Sequence, residues 1–376
     1  DPPRPRLGVA LTSPAIVDAL EEAATAIDVG AQLIRVDVPP SRELAQRMAR
    51  LGSPVEAWQA GASSRGGLDA FDPSGSPIPS GSQRALAVLR RFADEAGARR
   101  RGYVRLATDA PALAAPDQAV VAAFERIDLV VADPMREIVS GRVDPDRAIV
   151  DHVFAHRVLC RAGTKVLIPG GPLLVAPDIA TGVPSDPATR AGRALALQLL
   201  AIALARRDGM PTESVVVGAV PEWLIDEPDY PARAAAEIAL RRALLPGHPL
   251  AFVEPALDAE SRARWQAVAG ALLPDAGEVE TVLRRSHESA RATRGMVQAA
   301  ASLRASRVPP ELTGISAAHA AGAVAVALAT LEALDAGGWR ALVDQPLGIR
   351  ANVGADAVAE RTETFDPLAL EADARR

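Results

Sequence analysis

The segment Gly102–Pro134 reads GYVRLATDAPALAAPDQAVVAAFERIDLVVADP and contains one complete strand–helix–strand unit. Its two apolar runs, Gly102–Asp109 and Asp128–Pro134, enclose a stretch that opens at Pro116 and Asp117 with residues favoured at helix starts. Continuous apolar runs are typical of strands buried on both faces, and their alternation with helices produces a parallel sheet. The segment therefore predicts two parallel strands joined by a helix.

The same unit recurs along the first two-thirds of the chain. The other apolar runs, each followed by a helical stretch, are Arg6–Ser13, Ala31–Pro39, Lys165–Gly171, Glu213–Pro221 and Pro249–Pro255. Seven such runs, with room for an eighth, predict an α/β fold of the TIM type, a (β/α)8 barrel over residues 1–310. No eighth strand is evident, and residues 278–305 are predicted to be helical.

Residues 311–376 lie beyond the repeating pattern and are predicted to form a separate C-terminal element. Thr313–Leu342 predicts a helical hairpin that turns around Asp335–Gly338, and an extended tail follows it. We expect the hairpin and the tail to pack on the barrel.

Composition excludes several classes of function. The formal net charge is -6 and only 3% of the residues are aromatic, so we expect no nucleic-acid surface. Cys160 is the single cysteine, which rules out a disulfide within the chain and predicts a reduced, cytoplasmic protein. No segment has the ~20 uninterrupted apolar residues of a membrane span. The most apolar stretch, Ala317–Leu334, is predicted to be a buried helix rather than a membrane contact.

Polar residues at the carboxyl ends of the predicted strands are the leading site candidates, because barrels of this type place their chemistry there. These residues are Thr12, Ser13, Asp37, Thr108, Asp109, Asp133, Glu222 and Glu254. Several carboxylates around one opening can act as general acids or bases, or bind a substrate ammonium group. The alternative for each acid is a local one, in which it caps the next helix or binds a loop amide.

Two further stretches offer backbone amides or positive charge to an anion. Gly170 and Gly171 follow the fifth predicted strand, and Ser64 with Arg65 lies in the Gly- and Ser-rich segment 52–80. A plain turn and a flexible surface insertion are the respective alternatives. His152 and His156 share one helical face, and we expect a solvated or interface-facing pair there rather than a metal site.

Several stretches, taken in order, resemble a known family. They are Tyr103-Val-Arg-Leu-Ala, AFERIDLVVAD ending at Asp133, DPDRAIVDHVF ending at Phe154, Leu197–Pro211 and Asn352–Pro367. The series resembles the α subunit of lysine 5,6-aminomutase, where the first three read roughly Y-I-R-L-C, A-I-E-R-L-D-V-M-L-N-D and R-T-M-I-D-Q-N-F.

This resemblance implies a TIM barrel whose mouth receives pyridoxal phosphate and faces a partner subunit with a Rossmann domain. The partner supplies adenosylcobalamin and the Schiff-base lysine, and the complex moves an amino group by a radical 1,2-shift. Lys165 is the single lysine of this chain and stands at the start of its predicted strand. The near absence of lysine agrees with a lysine supplied by a partner, and an arginine-biased genome is the alternative explanation.

The residues expected to contact pyridoxal phosphate depart from the family pattern. In the alignment, the serine that touches the ring oxygen falls at Pro111, the stacking tyrosine at Arg136, and the phosphate-binding arginines at Val38 and Gly141. A valine cannot neutralise a phosphate. The pocket is therefore predicted to be rebuilt or lost, with Arg136 and Arg142 as candidates for a shifted anion site.

Three functions are open at this point. The first is a subunit of a cobalamin-dependent isomerase, in which Asp109, Asp133, Arg136 and Glu222 bind a small substrate, and Ser64, Arg65, Arg142, Gly170 and Gly171 bind a cofactor. The second is a non-catalytic paralogue that kept its assembly surfaces. The third is an unrelated barrel lyase or hydrolase that uses the ring of acids with a metal.

Overall fold

The computed structural model describes residues 6–11, 16–36, 81–110, 115–139, 144–169, 186–253, 278–282 and 314–338. Its strands are β1 (Arg6–Ala10), β2 (Leu33–Val36), β3 (Arg105–Asp109), β4 (Leu129–Val131), β5 (Lys165–Ile168), β6 (Val215–Gly218), β7 (Leu250–Val253) and β8 (Glu278–Val282). Each of the seven predicted apolar runs contains one of the strands β1 to β7. The prediction of a parallel α/β fold is confirmed.

The helices follow the strands along the chain. They are α1 (Ile16–Asp28), α2 (Gly81–Arg100), α3 (Ala115–Phe124), α4 (Pro134–Val139), α5 (Pro145–Ala162), α6 (Pro187–Arg207), α7 (Tyr230–Leu244) and α8 (Gly314–Gly337). Short 3-10 helices flank β6 at Thr212–Ser214 and Glu222–Asp226. Asp144 and Asp186 cap α5 and α6, because their carboxylates accept hydrogen bonds from the amides of Arg147 and Thr189, both at 3.1 Å.

All neighbouring strands pair in parallel, from β1 to β8 in chain order. β8 pairs with β7 on one side and with β1 on the other, so the sheet forms a ring. The connections that follow β7 and β8 lie largely outside the described residues.

The helix predicted over residues 278–305 is wrong at its start, where Glu278–Val282 forms β8. This segment reads EVETV, with glutamates at 278 and 280, and therefore lacks the continuous apolar run of the other strands. Its conformation depends on pairing with β7 and β1. Such pairing with sequence-distant strands overrides local propensity.

The strands separate two apolar layers, which explains their continuous apolar runs. Residues that face the helices, such as Val9, Ile34 and Val130, belong to a large core shared with those helices. Alternate residues point to the opposite face of a strand. They form the interior cluster of the ring, which consists of Leu33, Ala107, Leu129, Val131, Leu167, Val216 and Ala251.

The C-terminal element begins as one long helix, α8, which packs on α6 and α7. The helix continues through Asp335–Gly337, where the sequence analysis placed the turn of a hairpin, and Gly338 follows with a φ of 63°. The second arm and the tail lie outside the described residues. The division at residue 310 stays a prediction.

Within the described residues, α6 and α8 are long and apolar enough to cross a membrane by length and composition alone. One or two such helices are weak evidence, because the core helix of a globular protein passes the same test. In its most apolar 18-residue window, α8 has 33% of its residues buried, against 56% for α6. Among the described residues, the predicted buried helix is therefore buried on the face that meets α6 and α7.

Candidate functional site

Asp109 is the last residue of β3 and lies on the inner side of the ring. We call the end of the ring formed by the carboxyl ends of the strands the mouth. Ala107 precedes Asp109 by two residues and belongs to the interior cluster, so both side chains share one face. The Oδ1 atom of Asp109 is buried and has no hydrogen-bond partner among the described residues. An unsatisfied buried oxygen costs about 1–3 kcal/mol, so such groups concentrate where a ligand completes the bonding.

Asp133 lies just beyond β4 and has a local partner. Its Oδ1 atom accepts a hydrogen bond from the amide of Met135 at 3.0 Å, at the start of α4. The side chain is buried, with 6% exposure. This is the capping role that the sequence analysis gave as the alternative to substrate binding.

The two acids stand at adjoining strand ends. Asp109 is the register partner of Val131, and the amide of Ala110 donates to the carbonyl of Val131 at 2.8 Å. Asp133 follows Val131 by two residues. The structure therefore brings together the two acids whose side chains are described. Thr108 is directed away from the mouth, because its Oγ1 accepts from the Nε2 of Gln118 on α3 at 3.2 Å.

The other predicted site residues are placed only in part. The backbone of Arg136 lies in α4, and that of Glu222 opens the 3-10 helix after β6, so both follow strands at the mouth. The side chains of these two residues lie outside the described part of the structure. The remaining predicted positions fall outside it entirely: Thr12, Ser13, Asp37, Ser64, Arg65, Arg142, Gly170, Gly171 and Glu254.

Arg35 is a candidate that the sequence analysis missed. It lies on β2 in register with Ala10 of β1 and Ala107 of β3, and is half-buried. Because Ala107 belongs to the interior cluster, the register directs Arg35 into the ring. The signal in the sequence was a lone cation inside the apolar run Ala31–Pro39.

The segment after β6 is held against α6 by Arg190. Its guanidinium lies 4.1 Å from the centroid of the Trp223 ring and forms an ion pair with Glu227. Trp223 is 6% exposed, and its Nε1 has no hydrogen-bond partner among the described residues. Arg190 therefore fixes the segment that follows β6 against α6.

Lys165 tests whether this chain alone can hold pyridoxal phosphate. It is the first residue of β5, where its amide donates to the carbonyl of Asp128 at 2.9 Å, at the end of the ring opposite the mouth. The chain has no other lysine. The residues present therefore do not fit a complete pyridoxal phosphate site.

The prediction of a solvated or interface-facing histidine pair is wrong. His152 and His156 are 1% and 0% exposed, because α5 turns this face inward. His152 donates from Nδ1 to the carbonyl of Ala148 at 2.8 Å, and the Nδ1 of His156 lies 3.0 Å from Asp208 Oδ2. Burial, and then the nearby His156, lower the pKa of His152 to about 4. The described residues contain no group of three or more side chains suited to a metal.

The part of the chain that contains Asp109 and Asp133 is similar to a known protein family. Residues 80–259 match the family model of the D-lysine 5,6-aminomutase TIM-barrel domain of alpha subunit. The matched region runs from the start of α2 to just beyond β7, and includes Asp109, Asp133 and Arg136. The match supports the aminomutase family and its barrel domain, in agreement with the motif resemblance. No curated protein sequence matches the chain.

Solved structures with a similar backbone arrangement include dihydropteroate synthases. The enzyme from Anaplasma phagocytophilum with bound 6-hydroxymethylpterin-monophosphate has a TM-score of 0.48 at 13% identity, over 79% of this chain and 98% of that one. The enzyme from Coxiella burnetii in complex with pteroic acid has a TM-score of 0.47 at 13% identity, over 81% and 94%.

Proposed function

We propose that this chain is the barrel subunit of an adenosylcobalamin-dependent, aminomutase-like isomerase. The observation that carries the proposal is the match of residues 80–259 to the aminomutase barrel domain. In this proposal a partner subunit with a Rossmann domain binds the cobalamin, which supplies the radical when bound. The barrel binds a small substrate at its mouth, and the complex works in the cytoplasm, with neither a membrane nor a nucleic acid as partner.

Asp109 is the residue of this chain that we assign to the substrate. Its buried Oδ1 lacks a protein donor among the described residues and accepts a hydrogen bond from an ammonium or hydroxyl group of the ligand. Asp133 keeps α4 in place beside it. Arg136 on α4, Glu222 after β6 and Arg142 are proposed to complete the site, with the arginines directed at an anionic group of substrate or cofactor.

A non-catalytic paralogue is the second candidate. The positions that correspond to the family's phosphate-binding arginines hold Val38 and Gly141, and the single lysine lies away from the mouth. Loss of several cofactor contacts at once favours a subunit that kept its assembly surface. Both candidates predict a cobalamin-binding partner, but only the first predicts turnover.

The test is to purify the tagged chain with its partners from the native organism and to measure bound corrinoid by its absorption spectrum. We expect a Rossmann-type subunit and a corrinoid. In the active complex, Asp109→Asn lowers turnover at least about tenfold through loss of one charged hydrogen bond. The exposed Asp117→Asn on α3 is the control and leaves turnover unchanged. Absence of both partner and corrinoid rejects the proposal, and a partner without turnover selects the paralogue.

A further inference from the structure

The last carbonyl groups of β5 and β6 are bound by buried side chains from two helices. Gln198 on α6 donates from Nε2 to Ile168 O at 3.0 Å and to Gly218 O at 3.1 Å. Arg241 on α7 donates from Nε to Gly218 O at 2.8 Å and to Gln198 Oε1 at 2.9 Å. Gln198 is 1% exposed and Arg241 0%. These bonds hold two adjoining strand ends at the mouth.

Arg241 is in turn oriented by Glu237, one turn earlier on α7. The Nη1 of Arg241 lies 2.5 Å from Glu237 Oε2, and both side chains are fully buried. Burial alone raises the pKa of Glu237. The charge of Arg241 and the hydrogen bond from His319 outweigh burial and hold that pKa below its ordinary value. Glu237 is therefore an anion that needs both partners.

His319 on α8 supplies the second partner. Its Nε2 lies 2.8 Å from Glu237 Oε1, and its Nδ1 lies 3.2 Å from Nη1 of Arg233. A guanidinium only donates, so Nδ1 accepts and the imidazole proton is on Nε2, directed at Glu237. A continuous chain of hydrogen bonds thus runs from α8 through Glu237, Arg241 and Gln198 to the ends of β5 and β6.

The packing of α8 fixes the starting point of this chain of bonds. A Cβ added at Gly192 of α6 would lie 2.5 Å from the carbonyl oxygen of Ala323, and one at Gly322 would lie 2.9 Å from the Cβ of Ala188. The backbones of α6 and α8 are therefore in close contact where the two helices cross. Because α8 cannot move closer to α6, the distance of His319 from α7 is fixed by this helix crossing.

We propose that His319 is a positioning residue for the mouth, through which the C-terminal helix sets the carboxyl ends of β5 and β6. Apolar packing alone would attach the largely apolar α8 to the barrel, and it needs no buried charges. Buried ionic groups are harder to satisfy than apolar ones and are retained in some proteins because they specify one arrangement. The carbonyls at the end of this network are those from which two mouth loops begin.

This inference concerns the barrel itself and holds whether or not the aminomutase proposal does. It predicts that disturbing His319 on α8 loosens the mouth at β5 and β6, which His319 reaches only through Glu237, Arg241 and Gln198, and leaves β1 and β2 unchanged. If His319 served only to attach α8 to the barrel, its substitution would loosen α8 alone.

Amide hydrogen exchange of the full chain, followed by mass spectrometry, tests the proposal. His319→Ala is expected to speed exchange at least about tenfold in peptides covering β5 and residues 215–227, the effect of losing a hydrogen bond to a charged group. Peptides covering β1 and β2 serve as the internal reference. His319→Gln keeps a donor for Glu237 and restores slow exchange. The control is Thr330→Ala, since Thr330 is buried on α8 but bonds only to Val326 O of its own helix among the contacts described.

Arg233→Gln provides a milder variant in case His319→Ala does not fold. It replaces the guanidinium that reaches Nδ1 with a shorter, neutral amide while leaving Glu237 and Arg241 in place, and we expect a smaller rise at the same peptides. Faster exchange confined to residues 314–338 overturns the proposal, and so does a uniform rise that includes β1 and β2. An effect of Thr330→Ala equal to that of His319→Ala overturns it as well.

Discussion

At the scale of single residues, the two acids at the mouth have opposite relations to the fold. Asp133 is engaged by the amide of Met135, whereas the buried Oδ1 of Asp109 has no partner among the described residues. Sequence reasoning identified both positions from their place at strand ends. It could not separate them, because the difference depends on where a neighbouring amide points.

This difference predicts opposite stability effects. Asp133→Ala is expected to lower the free energy of unfolding by about 1 kcal/mol, as loss of a capping side chain does. Asp109→Ala is expected to raise it by about 1 kcal/mol, because an unsatisfied buried oxygen is removed. Urea unfolding monitored by circular dichroism measures both. A loss of stability in Asp109→Ala would show that this carboxylate is structural, and would remove it from the candidate site.

His152 makes stability depend on pH in a definite direction. Its pKa is about 4 in the folded chain, against an ordinary value of 6.5, because burial disfavours the cation. Between these two values the unfolded chain binds more protons, so the free energy of unfolding rises with pH. Acidification from pH 6.5 to 4 therefore removes about 3 kcal/mol.

Urea unfolding at a series of pH values checks this expectation with a matched pair of variants. His152→Leu should flatten the pH dependence over that range, since the titrating group is gone. His248→Gln changes a half-buried histidine outside the pair and should keep the slope of the parent chain. Equal slopes in His152→Leu and the parent chain would assign the acid sensitivity to other groups.

At the scale of elements, the local sequence predicted the strands that are continuously apolar. It did not predict features that depend on contacts with residues distant in sequence. β1 to β7 follow from such runs, whereas β8, with glutamates at 278 and 280, takes its conformation from β7 and β1. The spacing of His152 and His156 placed them on one face of α5. It did not indicate that this face turns inward towards Asp208, which is 52 residues away in sequence from His156.

The crossing of α6 and α8 gives a prediction at this scale. An alanine inside a helix is ordinarily about 1 kcal/mol more stable than glycine. Gly192→Ala reverses that preference, because the new Cβ meets Ala323 O and Val326 Cβ at 2.5 and 2.6 Å. We expect a loss of about 1–3 kcal/mol of unfolding free energy, as overpacking produces. Gly102→Ala, with no atom within 4 Å of its added Cβ, is the control and should be neutral.

At the scale of the whole molecule, the barrel and α8 share buried apolar and polar contacts, although the repeat pattern of the sequence predicts a division at residue 310. Leu195 and Ala196 of α6 form a buried cluster with Ala327 of α8. His319 bonds to a fully buried carboxylate of α7. The sequence pattern could not reveal this, since α8 is apolar on nearly every face and its lone histidine looks isolated without the structure.

A chain that ends at residue 310 should therefore fail to fold as an independent barrel. Without α8, Leu195 and Ala196 lose their cover, and Glu237 loses a partner that its burial requires. We expect this truncated chain to elute as an aggregate in size-exclusion chromatography and to bind an apolar dye. Supplying residues 311–376 as a separate polypeptide during refolding should recover the elution volume of the full chain. A monomeric truncated chain with the full chain's unfolding free energy would instead establish the C-terminal element as a separate unit.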